Sequence, residues 1–300
     1  MTSELSPDDK RILERYLSRK NAPVQAAPKV DPVVAQNVSG FSIEDIIKNG
    51  NTFYDSKIPV ALKQALDFAT VGGIVVTMPE LIAAKVKAVK THDFWKNWYS
   101  VQTEENIGLD KKGRFYSKND PVLVIVNGGG ILTPDRIDKA YTDKDGMIDG
   151  SAKYVGKEFD NLLDGELPDN TSIQIYRFDE IKKGIKSLPH KFGVVMPYSL
   201  AQGTISGYHQ KDSFINNPLV IARAGGIENI EKYYDLAKNK EGNLGSYHPF
   251  NGRDASVPSG RLLFLGDDCD GLGGDDSLDD DVGRFVGVAP EAQRKKKITV

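Results

Sequence analysis

From Phe41 onward, apolar residues recur in two rhythms along the chain. A spacing of three to four marks helices over 43–48, 59–69 and 79–90, the last two opening on Pro59 and Pro79, where a first-turn proline is suited to a helix start. Runs rich in β-branched residues mark buried strands at Ile74–Met78 and Val122–Val126, and alternation marks another at Ser172–Phe178. Asn127-Gly128-Gly129-Gly130 stops the second run, and Thr133-Pro134-Asp135 then caps a helix to about Tyr141. Strands alternating with helices predict an α/β protein: a mixed or mostly parallel sheet with flanking helices, an N-terminal helical arm and long C-terminal loops.

The arm stands apart from this pattern. Ser6, Pro7, Asp8 and Asp9 form a helix start, and Ile12, Leu13, Tyr16 and Leu17 share one face, so residues 1–20 read as an amphipathic helix. Residues 21–37 carry three prolines and no periodicity, the signature of an extended linker. Such an arm either docks on its own body or grips a neighbouring subunit. The body spans 38–300, with two degenerate halves, about 38–150 and 151–300, as a further division. That division rests on an echo: an apolar run into Met-Pro at 73–83 and 193–201, then Asn-x-Pro, an apolar run and a glycine turn at 119–130 and 216–226. Buried strands draw on a small alphabet, so coincidence gives the same echo.

Composition narrows the classes. A net charge of -3 with 27% charged residues gives no basic excess, which disfavours nucleic acid as a partner. Cys269 is the only cysteine, excluding an intrachain disulfide or a multi-cysteine metal site, and a reducing, cytoplasmic setting is expected. The N-terminus has no leader-like apolar stretch, and the longest apolar segment, Phe68–Met78, falls short of the ~20 residues a membrane helix needs, so no membrane association is expected.

Candidate chemistry lies at three places. Asn127, Gly128, Gly129 and Gly130 join a strand to a helix, where backbone N–H groups converge on an anion; Arg223, Gly225 and Gly226 end the echoing segment and add a guanidinium. Neither turn fits a nucleotide fingerprint. His248, Arg253 and Asp254 lie in a polar loop and supply an imidazole, a cation and a carboxylate as candidate catalytic groups. Ser206 sits in G-x-x-S-G, which is not a nucleophile elbow, and His92, His190 and His209 sit at no metal-ligand spacing.

The third place is the most unusual. Residues 267–281 hold eight aspartates and no lysine or arginine. Like charges this dense require water, a basic surface or a cation. Asp268, Asp270, Asp275, Asp276 and Asp279 are candidate calcium ligands, although the segment matches neither an EF-hand nor a repeated nonapeptide. The fragment Thr142–Asp149 likewise lacks two charged EF-hand positions. The basic tail Arg294–Lys297 is a further source of neutralising charge.

Two readings follow. In one, the chain is an α/β protein binding a small polar or anionic ligand, with or without catalysis, near 127–130, 223–226 and 248–254. In the other, it is a structural or assembly subunit that self-associates through residues 1–37 and binds calcium in its acidic loop.

Overall fold

A computed structural model describes residues 41–250, 252–274, 278 and 282–291, with Asp268 described by its backbone alone. The helical arm and linker of residues 1–37 lie outside these, as do Asp275, Asp276, Asp279 and the basic tail. The described residues belong to one compact unit. No described helix is long and apolar enough to cross a membrane.

The chain opens with α1 (Ile43–Asn49), capped by a Ser42–Asp45 capping box. β1 (Asn51–Asp55), α2 (Ile58–Ala69), β2 (Ile74–Val75) and α3 (Met78–Lys87) follow. All three helices fall where the pattern puts them. The predicted strand at 74–78 stops early, because Thr77 and Glu80 form a capping box that starts α3.

Next come β3 (Tyr99–Asp110) and β4 (Asp120–Asn127), a long antiparallel pair, then α4 (Pro134–Thr142), β5 (Met147–Ile148), β6 (Ser151–Lys153) and α5 (Glu158–Leu163). β7 (Ile175–Arg177), α6 (Phe178–Lys182), β8 (Phe192–Pro197), α7 (Tyr198–Gln202) and β9 (Gly207–His209) continue the body. Three short helices, α8 (Lys211–Ile215), α9 (Pro218–Arg223) and α10 (Ile230–Ala237), precede β10 (Leu244–Ser246), β11 (Ser259–Leu265), β12 (Leu272–Gly273) and β13 (Gly283–Val288).

The larger sheet runs β7-β8-β4-β3-β11-β12-β10-β9, with β6 and β5 attached to β11. It is mixed: β7–β8 and β10–β12 are parallel, and the other described pairs are antiparallel. A three-stranded sheet, β1-β13-β2, brings the last strand back between the first two.

β4 is buried on both faces and divides the core. Leu123 and Ile125 face a cluster with Phe192, Met196 and Leu263; Val122, Val124 and Val126 face another with α2, α4 and α5. This accounts for the unbroken apolar run in the sequence. A bulge in β3 leaves Gln102 and Thr103 without partners on β11. Those residues turn aside to join the layers: Gln102 N–H donates to Val76 O at 2.9 Å, and Thr103 Oγ1 accepts Met78 N–H at 2.8 Å.

The echo does not extend to structure in its second pair. Residues 120–127 form a strand, whereas 218–223 form α9, because Asn217 Oδ1 accepts the N–H groups of Leu219 and Val220 and Pro218 begins the helix.

Candidate functional site: buried cations beneath an acidic segment

β3 carries Thr103-Glu104-Glu105-Asn106, a polar stretch that does not look like a core strand, yet both glutamates are buried. Successive strand residues point to opposite faces. Glu104 stands beside Val126 and Glu105 beside Ile125, so one carboxylate enters each half of the core.

Glu104 fills the turn that the sequence offers to an anion. Gly128 and Gly129 adopt φ of +80° and +93°, which L side chains rarely do, and the turn then aims Ile131 N–H and Leu132 N–H at the carboxylate, at 3.1 and 3.2 Å. A Cβ on Gly130 would stand 2.6 Å from Glu104 Oε1. The N–H groups that converge belong to Ile131 and Leu132, just past the 127–130 turn, and the chain supplies its own anion. Burial pushes the Glu104 pKa up to about 7, against these N–H groups, which favour the charged form. Asn127 is buried, its Oδ1 accepting from Thr103 Oγ1 at 2.8 Å.

Glu105 receives Arg223 on the other face. Nε donates to Oε1 at 2.7 Å and Nη2 to Oε2 at 3.1 Å, a bidentate pair in which both side chains are buried. Gly225 and Gly226 follow at positive φ as the chain leaves α9. The turns after β4 and α9 are therefore tied to glutamates on opposite faces of β3.

The third Arg223 bond leads to the acidic segment: Nη1 donates to Leu272 O at 3.1 Å. Two other buried cations do the same. Lys85 Nζ donates to Gly266 O at 2.5 Å, and Arg261 Nη1 to Gly274 O at 2.5 Å, while Arg261 Nη2 holds Asp149 O at 2.7 Å. Side chains from α3, α9 and β11 thus grip the main-chain carbonyls of residues 266–274 from below. Leu272 and Leu278 are buried, and Tyr141 Oη holds Leu278 O at 2.9 Å. Above this floor Asp270 is exposed and Asp267 half-buried. Among the described residues, no three His, Cys, Asp or Glu side chains gather in a metal-holding group.

The His248, Arg253 and Asp254 loop is held in three separate ways. Thr204 Oγ1 donates to Ala201 O at 2.7 Å, so it accepts from His248 Nε2–H at 2.8 Å; Nδ1 then accepts Phe250 N–H at 3.4 Å. Burial, and secondly the charge of Arg223, hold the His248 pKa below its usual 6.5, consistent with that neutral tautomer. Arg253 is buried and donates to Ser259 Oγ at 2.8 Å. Asp254 is exposed and closes a turn on Ser256, whose hydroxyl and N–H hold its carboxyl below the ordinary range. Ser206 Oγ accepts His248 N–H at 3.0 Å. His209 borders a cleft of about 320 Å³ with Ser199, Thr204, Ser213 and Asn216, and its Nδ1 lies 3.1 Å from Ser213 Oγ.

Sequence reasoning misses Glu104, Glu105, Lys85 and Arg261. Arg261 carries the one available signal, a charge flanked by the apolar run Leu262–Leu265; nothing local marks the others.

No family model matches the chain, and no curated protein matches it. The chain is similar to a solved structure described as "Accommodation of massive sequence variation in Nanoarchaeota by the C-type lectin fold". The likeness has a TM-score of 0.59 and 26% identity, covering 81% of this chain and 99% of that one. The chain is thus a mixed α/β domain related in fold to that C-type lectin structure.

Proposed function

We propose that this chain is a recognition module in which a rigid scaffold presents residues 247–282 to a cationic ligand. One observation carries the reading: Lys85, Arg223 and Arg261 hold the acidic segment by its carbonyl oxygens. An anchor on the main chain is indifferent to the side chains above it, so the outward residues are free to serve a ligand. The solved structure similar to this chain is described as accommodating massive sequence variation, the property such an anchor supports. Recognition is favoured over catalysis because His248, Arg253 and Asp254 are engaged separately rather than converging on one point.

Calcium is the first ligand to test, because a divalent ion accepts several carboxylate oxygens in flexible geometry. A ligand that binds only the folded form stabilises by about 2.7 kcal/mol at a hundredfold excess over Kd. For a domain of this size that raises the melting temperature by about 5 to 10 °C. The wild type and a variant with Asp275, Asp276 and Asp279 changed to Asn are melted at low salt with calcium chloride, and separately with acetyl-trilysine amide. The expected result is a rise in the wild type with at least one probe, absent in the variant and not reproduced by sodium at equal ionic strength. No rise with either probe ends the reading.

A further inference from the structure

Beside residues 270–273, β9 forms one edge of the larger sheet and pairs with β10. Their register sets Tyr208 opposite Gly245 and Gly207 opposite Ser246. The glycine matters for what it lacks. A Cβ at Gly245 would stand 2.5 Å from the ring of Tyr247 and 2.3 Å from Asp270 O, so the bare backbone is the surface on which both rest. Tyr247 folds back over it and meets Tyr208 nearly at right angles, with ring centroids 5.8 Å apart and planes at 80°. Asp270 completes the corner, its Oδ1 accepting from Tyr208 Oη at 3.2 Å.

Tyr208 is 52% exposed, and Asp270 is exposed beside it. Two ring planes at right angles leave a corner walled by π faces, and a carboxylate stands at its rim. The π face carries negative potential, so walls and rim both attract a cation with an apolar stem. A bare, strongly hydrated metal ion gains little from aromatic walls, whereas a lysine or arginine side chain packs its methylenes on them. The neighbouring aspartates of 267–281 repeat the negative charge and suit a ligand with several basic groups in series.

We propose that Tyr208, Tyr247 and Asp270 form a seat for one lysine or arginine side chain of a basic peptide, a ligand class matched to the run of aspartates in which Asp270 stands in the sequence. This rests on the reading of the acidic segment as a cation-recognising surface and names the place where the ligand is fixed.

The test is calorimetric titration of the full chain with acetyl-trilysine amide at low ionic strength. Wild type, Tyr208→Ala, Tyr208→Phe, Asp270→Asn and the Asp275/Asp276/Asp279→Asn variant are compared, each first shown to melt cooperatively. Loss of the Tyr208 ring weakens binding about fivefold, the size of an exposed cation–π contact. Tyr208→Phe keeps the π face and stays within about twofold of wild type, whereas Asp270→Asn weakens binding and flattens its salt dependence. If the triple variant loses binding while Tyr208→Ala binds as wild type does, the seat is wrong and the acidic surface stands. If the peptide does not bind, the seat falls; a calcium-dependent rise in melting temperature then still supports the surface. Tyr208-dependent binding of choline without peptide binding overturns the assignment to a peptide.

Discussion

Glu104 and Glu105 are neighbours in sequence with opposite electrostatic surroundings, because strand alternation sends Glu105 to a bidentate arginine and Glu104 to backbone N–H groups and the Asn106 side chain, with no cation. Glu104 therefore titrates near neutrality, at about 7 when folded against an ordinary value of 4.5. A raised carboxyl pKa means that the folded state holds its proton more tightly. Its contribution to stability is complete below pH 4.5 and is lost as pH rises through about 7. His248 has the reverse sign: its depressed pKa gives stability present above 6.5 and lost as pH falls from there through its folded value. Replacing Glu104 with Gln removes only the first effect. Between pH 5 and pH 8 the wild type should lose about 2 to 3 kcal/mol that the variant keeps, because a tenfold change in proton affinity between folded and unfolded chains is worth about 1.4 kcal/mol. Urea unfolding of both proteins at the two pH values reads this as a double difference, in which other titrating groups cancel. Equal pH dependence in the two proteins would show that Glu104 is ionised at no extra cost. This behaviour could not be read from the sequence, where Glu104-Glu105 looks like a solvated doublet. Only the register of β3 between β4 and β11 reveals the burial.

At the scale of elements, what is legible is what local chemistry decides. The helices at 43–49, 58–69, 78–87 and 134–142 follow from caps, first-turn prolines and periodicity, and the β4 run follows from unbroken apolar, mostly β-branched residues. The apolar run at 219–222 reads as a strand and folds as a helix, because a short buried helix and a short buried strand use the same residues; the Asn217 cap decides between them. The acidic segment shows the same division. Its aspartates are conspicuous in sequence, but the cations beneath it come from positions 85, 223 and 261, brought together only by the fold. The segment rests on Gly245, where main-chain atoms of residues 270 and 271 pack against the glycine. Gly245→Ala should therefore displace β12 and the turn before it while leaving β3, β4 and β8 intact. Hydrogen exchange should show faster exchange confined to about 245–247 and 266–273, together with loss of trilysine binding. Unchanged protection there would mean that the segment is held without that contact. Partial unfolding of the β3–β4 pair would mean that the segment is integral to the core.

At the scale of the whole molecule, β13 returns between β1 and β2, so the first and last described strands of the folded body are paired. Residues 1–37 precede that point and lie outside the described residues. Their sequence combines an amphipathic face of Ile12, Leu13, Tyr16 and Leu17 with a proline-interrupted linker, and we propose that this arm associates with a neighbouring copy. Full burial of such side chains stabilises by roughly 1.5 to 3 kcal/mol each, which is the driving force for that association. Association also alters what the acidic segment achieves. Recognition sites repeated in one particle bind a repeated ligand more tightly than a single site does, by roughly 10² to 10⁴ where the geometry lets two engage together. Native mass measurement of the full chain and of a variant beginning at residue 38 separates the cases. The full chain should be a multiple of the 33.0 kDa subunit and the truncated chain a monomer, with surface-immobilised trilysine binding falling steeply on truncation while binding of the free peptide is unchanged. A full-length monomer would assign the arm to its own body. A truncated chain that still assembles would move the interface to the folded domain.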